Sequence, residues 1–141
     1  RGDTAFFLLD NLPDLTLHTV DIFKQQPKHA HYFRIEYDFK KTYPAYMNKA
    51  KEYGDRLVVH KGWTHEVAED IKDGTFDFVF VDADHTYEGC KRDNLLWKPK
   101  VKPGGFLMGH DIQMPSVYQA VMECCDPVYI NYGTYCWVSP C

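Results

Sequence analysis

The run Phe76-Asp77-Phe78-Val79-Phe80-Val81 is almost continuous in apolar residues and stops at Asp82-Ala83-Asp84-His85. A run this short, aromatic and β-branched, predicts a central strand covered on both faces, the habit of parallel sheets. The rest of the chain alternates in the same spirit. Gly2 to Leu12 carries Ala5, Leu8, Leu9 and Leu12 at helical spacing, and Leu15 to Val20 alternates with period two and delivers Asp21. Pro44 fits the first position of a helix bearing Tyr46, Met47, Ala50 and Tyr53, closed by Gly54. Arg56 to His60 predicts a strand, and Thr64 fits the cap of a helix with Val67, Ala68 and Ile71. Tyr87 to Trp97 predicts a helix, and Phe106-Leu107-Met108 a strand ending in Gly109-His110-Asp111. Pro115 opens the last helix, and Val128–Asn131 with Thr134–Val138 form a hairpin across Tyr132-Gly133.

This order predicts an α/β fold: a doubly wound, mostly parallel sheet with helices on both faces and a C-terminal antiparallel hairpin. A chain of 141 residues is expected to form a single domain over 1–141, large enough to bury a core without disulfide or metal. Residues 22–43 have no clear period and hold Lys24, Lys28, His29, His31, Arg34, Lys40 and Lys41 among aromatics, a basic excursion at about 22–45. The run Ala5 to Leu9 is as long as apolar runs get here, too short to cross a membrane, and the net charge of −4 argues against a dedicated nucleic-acid binder. Five cysteines without a C-x-x-C pair fit a reducing compartment with thiols as core fillers, so the expected location is the cytoplasm. Lys98, Lys100 and Lys102 are expected to form a solvated connection.

Ligands of doubly wound sheets bind outside the carboxyl ends of the strands. Asp21, His60-Lys61-Gly62, Asp82-Ala83-Asp84-His85 and Gly109-His110-Asp111 are all expected on that rim. Asp21 can accept hydrogen bonds from the vicinal hydroxyls of a ribose or cap the next turn, and both roles stay open. Trp63 can stack on a base, with Thr64 hydrogen-bonding it, or lie in the core beneath the loop. Asp82 and Asp84, with Asp111 nearby, form an oxygen-rich group suited to Mg²⁺, Ca²⁺ or Mn²⁺. His85 and His110 can serve as general bases or as caps and surface hydrogen-bonding groups.

The stretch Phe76 to Gly89, followed by Asp93, Trp97, Pro99, Lys102-Pro103-Gly104-Gly105 and Gly109-His110-Asp111, resembles class I S-adenosylmethionine-dependent methyltransferases. Within them it is most similar to the small-molecule O-methyltransferase-like branch with a DADHxYE strand end, over most of residues 2–126. The resemblance implies a Rossmann-like fold, S-adenosyl-L-methionine as cofactor and a small-molecule acceptor. It implies cofactor contacts from Gly2, Asp21, Gly62, Trp63, Thr64 and Asp82, catalytic roles for His85 and His110, and Asp82 and Asp111 as ligands of Mg²⁺ or another divalent cation. Ile112 stands where cation-dependent relatives carry an amide. The first strand and most of the glycine-rich loop have no counterpart here, so a chain truncated at its N-terminal side is expected. Two other readings stand beside this one: a glycosyltransferase holding a nucleotide sugar through Asp82-Ala83-Asp84, and a non-catalytic binding module on the same fold.

Overall fold

The computed structural model describes residues 2–24 and 39–141, so Lys28, His29, His31 and Arg34 of the basic excursion lie outside the described residues. The chain divides into two compact units, Arg1–Trp63 and Thr64–Cys141.

The first unit contains α1 (Asp3–Asn11), β1 (Leu17–Asp21), α2 (Phe39–Ala50), a 3₁₀ segment at Lys51–Arg56 and β2 (Leu57–Lys61). β1 and β2 pair in parallel, from Leu17 opposite Leu57 to Asp21 opposite Lys61. Leu9, Ala50 and Leu57 form its core, with Phe6, Leu15, Leu17, Tyr53 and Val59 packed against them. Gly2 precedes α1 at φ 84°, where a Cβ would run into the Tyr46 ring, so close packing and a left-handed backbone both demand glycine. Arg56 donates to the carbonyls of Leu9, in the last turn of α1, and of Leu12 and Leu15 beyond it, and so ties the end of the helix to the segment that follows.

Pro44 is not the first residue of its helix but lies inside α2, which begins at Phe39. The missing N–H costs one ladder bond, and burial of Tyr46 and Ala50 on the same helix offsets it. On the sheet, His18 Nδ1 and His60 Nε2 lie 3.1 Å apart, a distance that requires one ring to donate to the other. Burial first, and the charge of His60 second, hold the His18 pKa below 6.5. The unfolded chain therefore takes up this proton at higher pH than the folded one. The stability contributed by neutral His18 is fully present above 6.5 and is lost as pH falls through the folded value. Denaturation curves should show the wild type losing its advantage over His18→Gln as the pH falls below 6.5; a gap that does not change with pH would refute this.

The second unit contains α3 (Thr64–Glu69), β3 (Phe76–Val81), α4 (Tyr87–Trp97), a 3₁₀ turn at Lys98–Lys100, β4 (Val101–Gly109), α5 (Pro115–Cys124), β5 (Tyr129–Asn131) and β6 (Cys136–Pro140). Its sheet has the order β3-β4-β6-β5, with β3 parallel to β4 and the hairpin strands antiparallel. Leu107, Ala120, Val121 and Trp137 are buried where α4 and α5 cover one face. The sequence places β3 at the centre, but among the described residues it is an edge strand. Pairing of Phe78 with Phe106 and Phe80 with Met108 turns these side chains to the face opposite Leu107, which leaves Phe80 and Phe106 45% and 46% exposed.

The lysines after α4 are not merely solvated. Lys98 donates to the Cys124 carbonyl at the end of α5, while Lys100 and Lys102 pair with Asp73 and Asp77 at 2.8 and 2.7 Å. All five cysteines are free thiols, and burial pushes Cys90 up to about 12 and Cys125 up to about 11.

Candidate active site

The ends of β3 and β4 carry the chemistry of the second unit. β3 delivers Asp82, and the turn into α4 brings His85 back toward it. β4 ends at Gly109, so His110 and Asp111 emerge beside them, with Asp111 at φ 58°, a conformation that aspartate tolerates better than most residues. His85 Nε2 lies 2.8 Å from Asp111 Oδ2 and 3.3 Å from Asp82 Oδ1. The second oxygen of Asp111 takes His110 Nδ1 at 3.2 Å and the Gln113 amide at 3.0 Å. Ser116, in the first turn of α5, donates to the His85 carbonyl at 2.7 Å and fixes the backbone from which the imidazole projects.

The hydrogen bond with Asp82 raises the His85 pKa, burial opposes it, and the charges of Asp111 and Asp82 add to the rise. Burial pushes Asp111 upward, but hydrogen bonds from Gln113 and His110 and the two imidazoles outweigh it, so its carboxyl lies below the ordinary range. The cluster is an ionised carboxylate flanked by two histidines, one of which bridges to a second carboxylate.

Asp84 does not join it. Its Oδ1 accepts the Thr86 N–H at 2.9 Å, and its carboxylate packs over Gly89, where no Cβ would fit. Thr86 in turn caps α4 by accepting the Gly89 N–H at 3.1 Å. Asp82, His85 and Asp111 present ligand atoms within 4.8 Å of one another, and two carboxylates with an imidazole are a donor set that fits a divalent cation.

Among the expected cofactor residues, Thr64 is the first residue of α3 rather than its cap, and its hydroxyl donates to Asp93 Oδ1 at 2.7 Å. In the first unit, Asp21 is exposed at the end of β1 and one of its oxygens accepts the Phe23 N–H, so the capping role is realised at that oxygen. Gly62 donates to the Asp21 carbonyl at 3.1 Å, and Trp63 is 43% exposed, not a core residue. Sequence inspection passes over Gln113, Ser116 and Asp93 as partners of these groups. The only advance signal was the position of Ser116 in the first turn after Pro115.

A parallel β3-α4-β4 unit with acids and histidines at its strand ends is the repeating unit of a Rossmann-like α/β fold. Residues 1–112 match the family model described as methyltransferase domain. The chain belongs to this methyltransferase-domain family. Among solved structures it is similar to the calicheamicin methyltransferase CalS11, with TM-score 0.63 and 17% identity over 99% of this chain and 66% of that one. A protein from Corynebacterium glutamicum gives 0.64 and 14% over 99% and 67%. The methyltransferase MycE from mycinamycin biosynthesis, in complex with Mg and SAH, gives 0.59 and 13% over 99% and 40%. These identities show the fold, and the chain spans about two thirds of the length of the first two structures. No curated protein matches the sequence. No helix of the described residues is long and apolar enough to cross a membrane.

Proposed function

We propose that the protein transfers the methyl group of S-adenosylmethionine to a hydroxyl of a small molecule. Membership of the methyltransferase-domain family supports the reaction type, and the placement of His85 between Asp82 and Asp111 supports its chemistry. The cofactor supplies a sulfonium methyl, so that an oxygen–carbon bond forms as the carbon–sulfur bond breaks and its electron pair goes to sulfur. His85 takes the hydroxyl proton, and the two carboxylates beside Nε2 stabilise the imidazolium that results. His110, oriented by the other oxygen of Asp111, is the second base. Alignment of the acceptor oxygen is the remaining contribution of the protein.

In the first unit Asp21 is suited to ribose hydroxyls through the oxygen that Phe23 does not use, and Gly2, Gly62 and Trp63 are the other cofactor-binding residues of that unit. In the second, Thr64 contacts the base through its hydroxyl and Asp82 borders the cofactor. Where a divalent cation binds, Asp82 and Asp111 are the carboxylates that hold it, and such an ion lowers the pKa of the acceptor hydroxyl. The engagement of Asp84 with Thr86 weighs against a glycosyltransferase using Asp82 and Asp84 together. The free thiols fit a cytoplasmic location.

Calorimetric titration with S-adenosylhomocysteine, and transfer of labelled methyl to a panel of small hydroxylated acceptors with and without a chelator, test this reading. Binding and labelled product are expected. Binding of a nucleotide sugar with Mn²⁺ in place of S-adenosylhomocysteine would overturn it, and binding of neither would leave the non-catalytic module.

A further inference from the structure

Asp93 is a buried carboxylate, 1% exposed on α4, that the chemistry above does not use. Its Oδ1 accepts the Thr64 hydroxyl at 2.7 Å and lies 3.6 Å from Arg92 Nε, while Oδ2 has no hydrogen-bond partner among the described residues. A carboxylate with unused acceptor capacity in a buried position competes strongly for any proton offered to it. A threonine hydroxyl has a single proton to offer. Thr64 has committed that proton inward, and what it presents elsewhere at the start of α3 is lone pairs alone. Any group it recognises there must be a donor.

We infer that Asp93 is a positioning residue that fixes the polarity of the Thr64 hydroxyl, so that a nucleoside cofactor is read through an exocyclic amino group and a 6-oxo purine is refused. The inference rests on the reading above in which Thr64 meets the base. An adenine amino group donates to the free lone pair of Thr64. A hypoxanthine oxygen at the same place would set two acceptors against each other, with no proton between them and no freedom for the hydroxyl to turn. The selectivity lies in a hydrogen bond that touches no ligand.

Calorimetric titration of S-adenosylhomocysteine and S-inosylhomocysteine against the wild type, Asp93→Leu and Thr64→Val tests the inference. The wild type should prefer the adenosyl compound by roughly tenfold to a hundredfold, the cost of one mismatched buried hydrogen bond. Asp93→Leu frees the hydroxyl to rotate and should bring the two affinities to within about threefold. A role of Asp93 in stability alone would weaken both ligands together and leave their ratio unchanged, which would overturn the proposal. Should Asp93→Leu fail to fold, Thr64→Val decides: loss of the preference supports the inference, and its persistence refutes it. Equal binding of the two compounds by the wild type sinks this inference and spares the methyltransferase reading; binding of neither sinks both.

Discussion

Asp111→Asn should bind S-adenosylhomocysteine about as tightly as the wild type and transfer methyl groups about 10²- to 10⁴-fold more slowly, the range lost when a positioned proton acceptor is disabled. The carboxylate touches both histidines, through Oδ2 to His85 and Oδ1 to His110. Its negative charge stabilises an imidazolium on either side, and its two oxygens set the orientation of both rings. An amide keeps the shape and tolerates the left-handed backbone at φ 58°, so the variant isolates charge from folding. Asp111→Ala adds the strain of that backbone to the loss of the contacts and should also unfold more easily, by about 1 kcal/mol. His85 would then lose its shorter carboxylate contact and keep the longer one with Asp82. Methyl transfer within about threefold of wild type in the amide variant would remove Asp111 from the chemistry.

Much of this arrangement is legible in the residues themselves. The bounds of β3 and α4 are set locally, by an apolar run that ends at Asp82 and by Thr86 capping the helix that follows, and sequence inspection places both. Local chemistry also puts Asp82, His85 and Asp111 at strand ends. Alternation cannot say what covers a strand, however, and the same apolar run describes a central strand or an edge strand with Phe80 in the open. Nor can spacing reveal that Asp82 and Asp84, two residues apart, part company at the turn, one toward His85 and the other onto Gly89. Pro44 is misplaced for a similar reason. Its ring is compatible with a helix start, but the helix already begins at Phe39, more than a turn ahead of it. The commitment of the Thr64 proton to Asp93 joins residues 29 positions apart, beyond the reach of any local pattern.

Asp21→Asn should fold like the wild type and bind S-adenosylhomocysteine about 10²- to 10⁴-fold more weakly, the equivalent of losing two hydrogen bonds from a charged acceptor. One oxygen of Asp21 accepts the N–H of Phe23, which sits at φ 49° with its ring 4.7 Å from Tyr43 and 5.3 Å from Tyr46. That bond ties the end of β1 to a buried aromatic cluster and fixes the direction of the carboxylate. The asparagine oxygen can keep the Phe23 bond, while its amide puts a donor where the ribose hydroxyls need an acceptor. Asp21→Ala removes both functions and should lose binding together with part of the stability of the turn. The pair of variants therefore separates the two roles that Asp21 can play. Loss of binding in both variants assigns the second oxygen to the ribose. Loss in Asp21→Ala with wild-type affinity in Asp21→Asn would mean that the residue only holds the turn, and the ribose would need another acceptor.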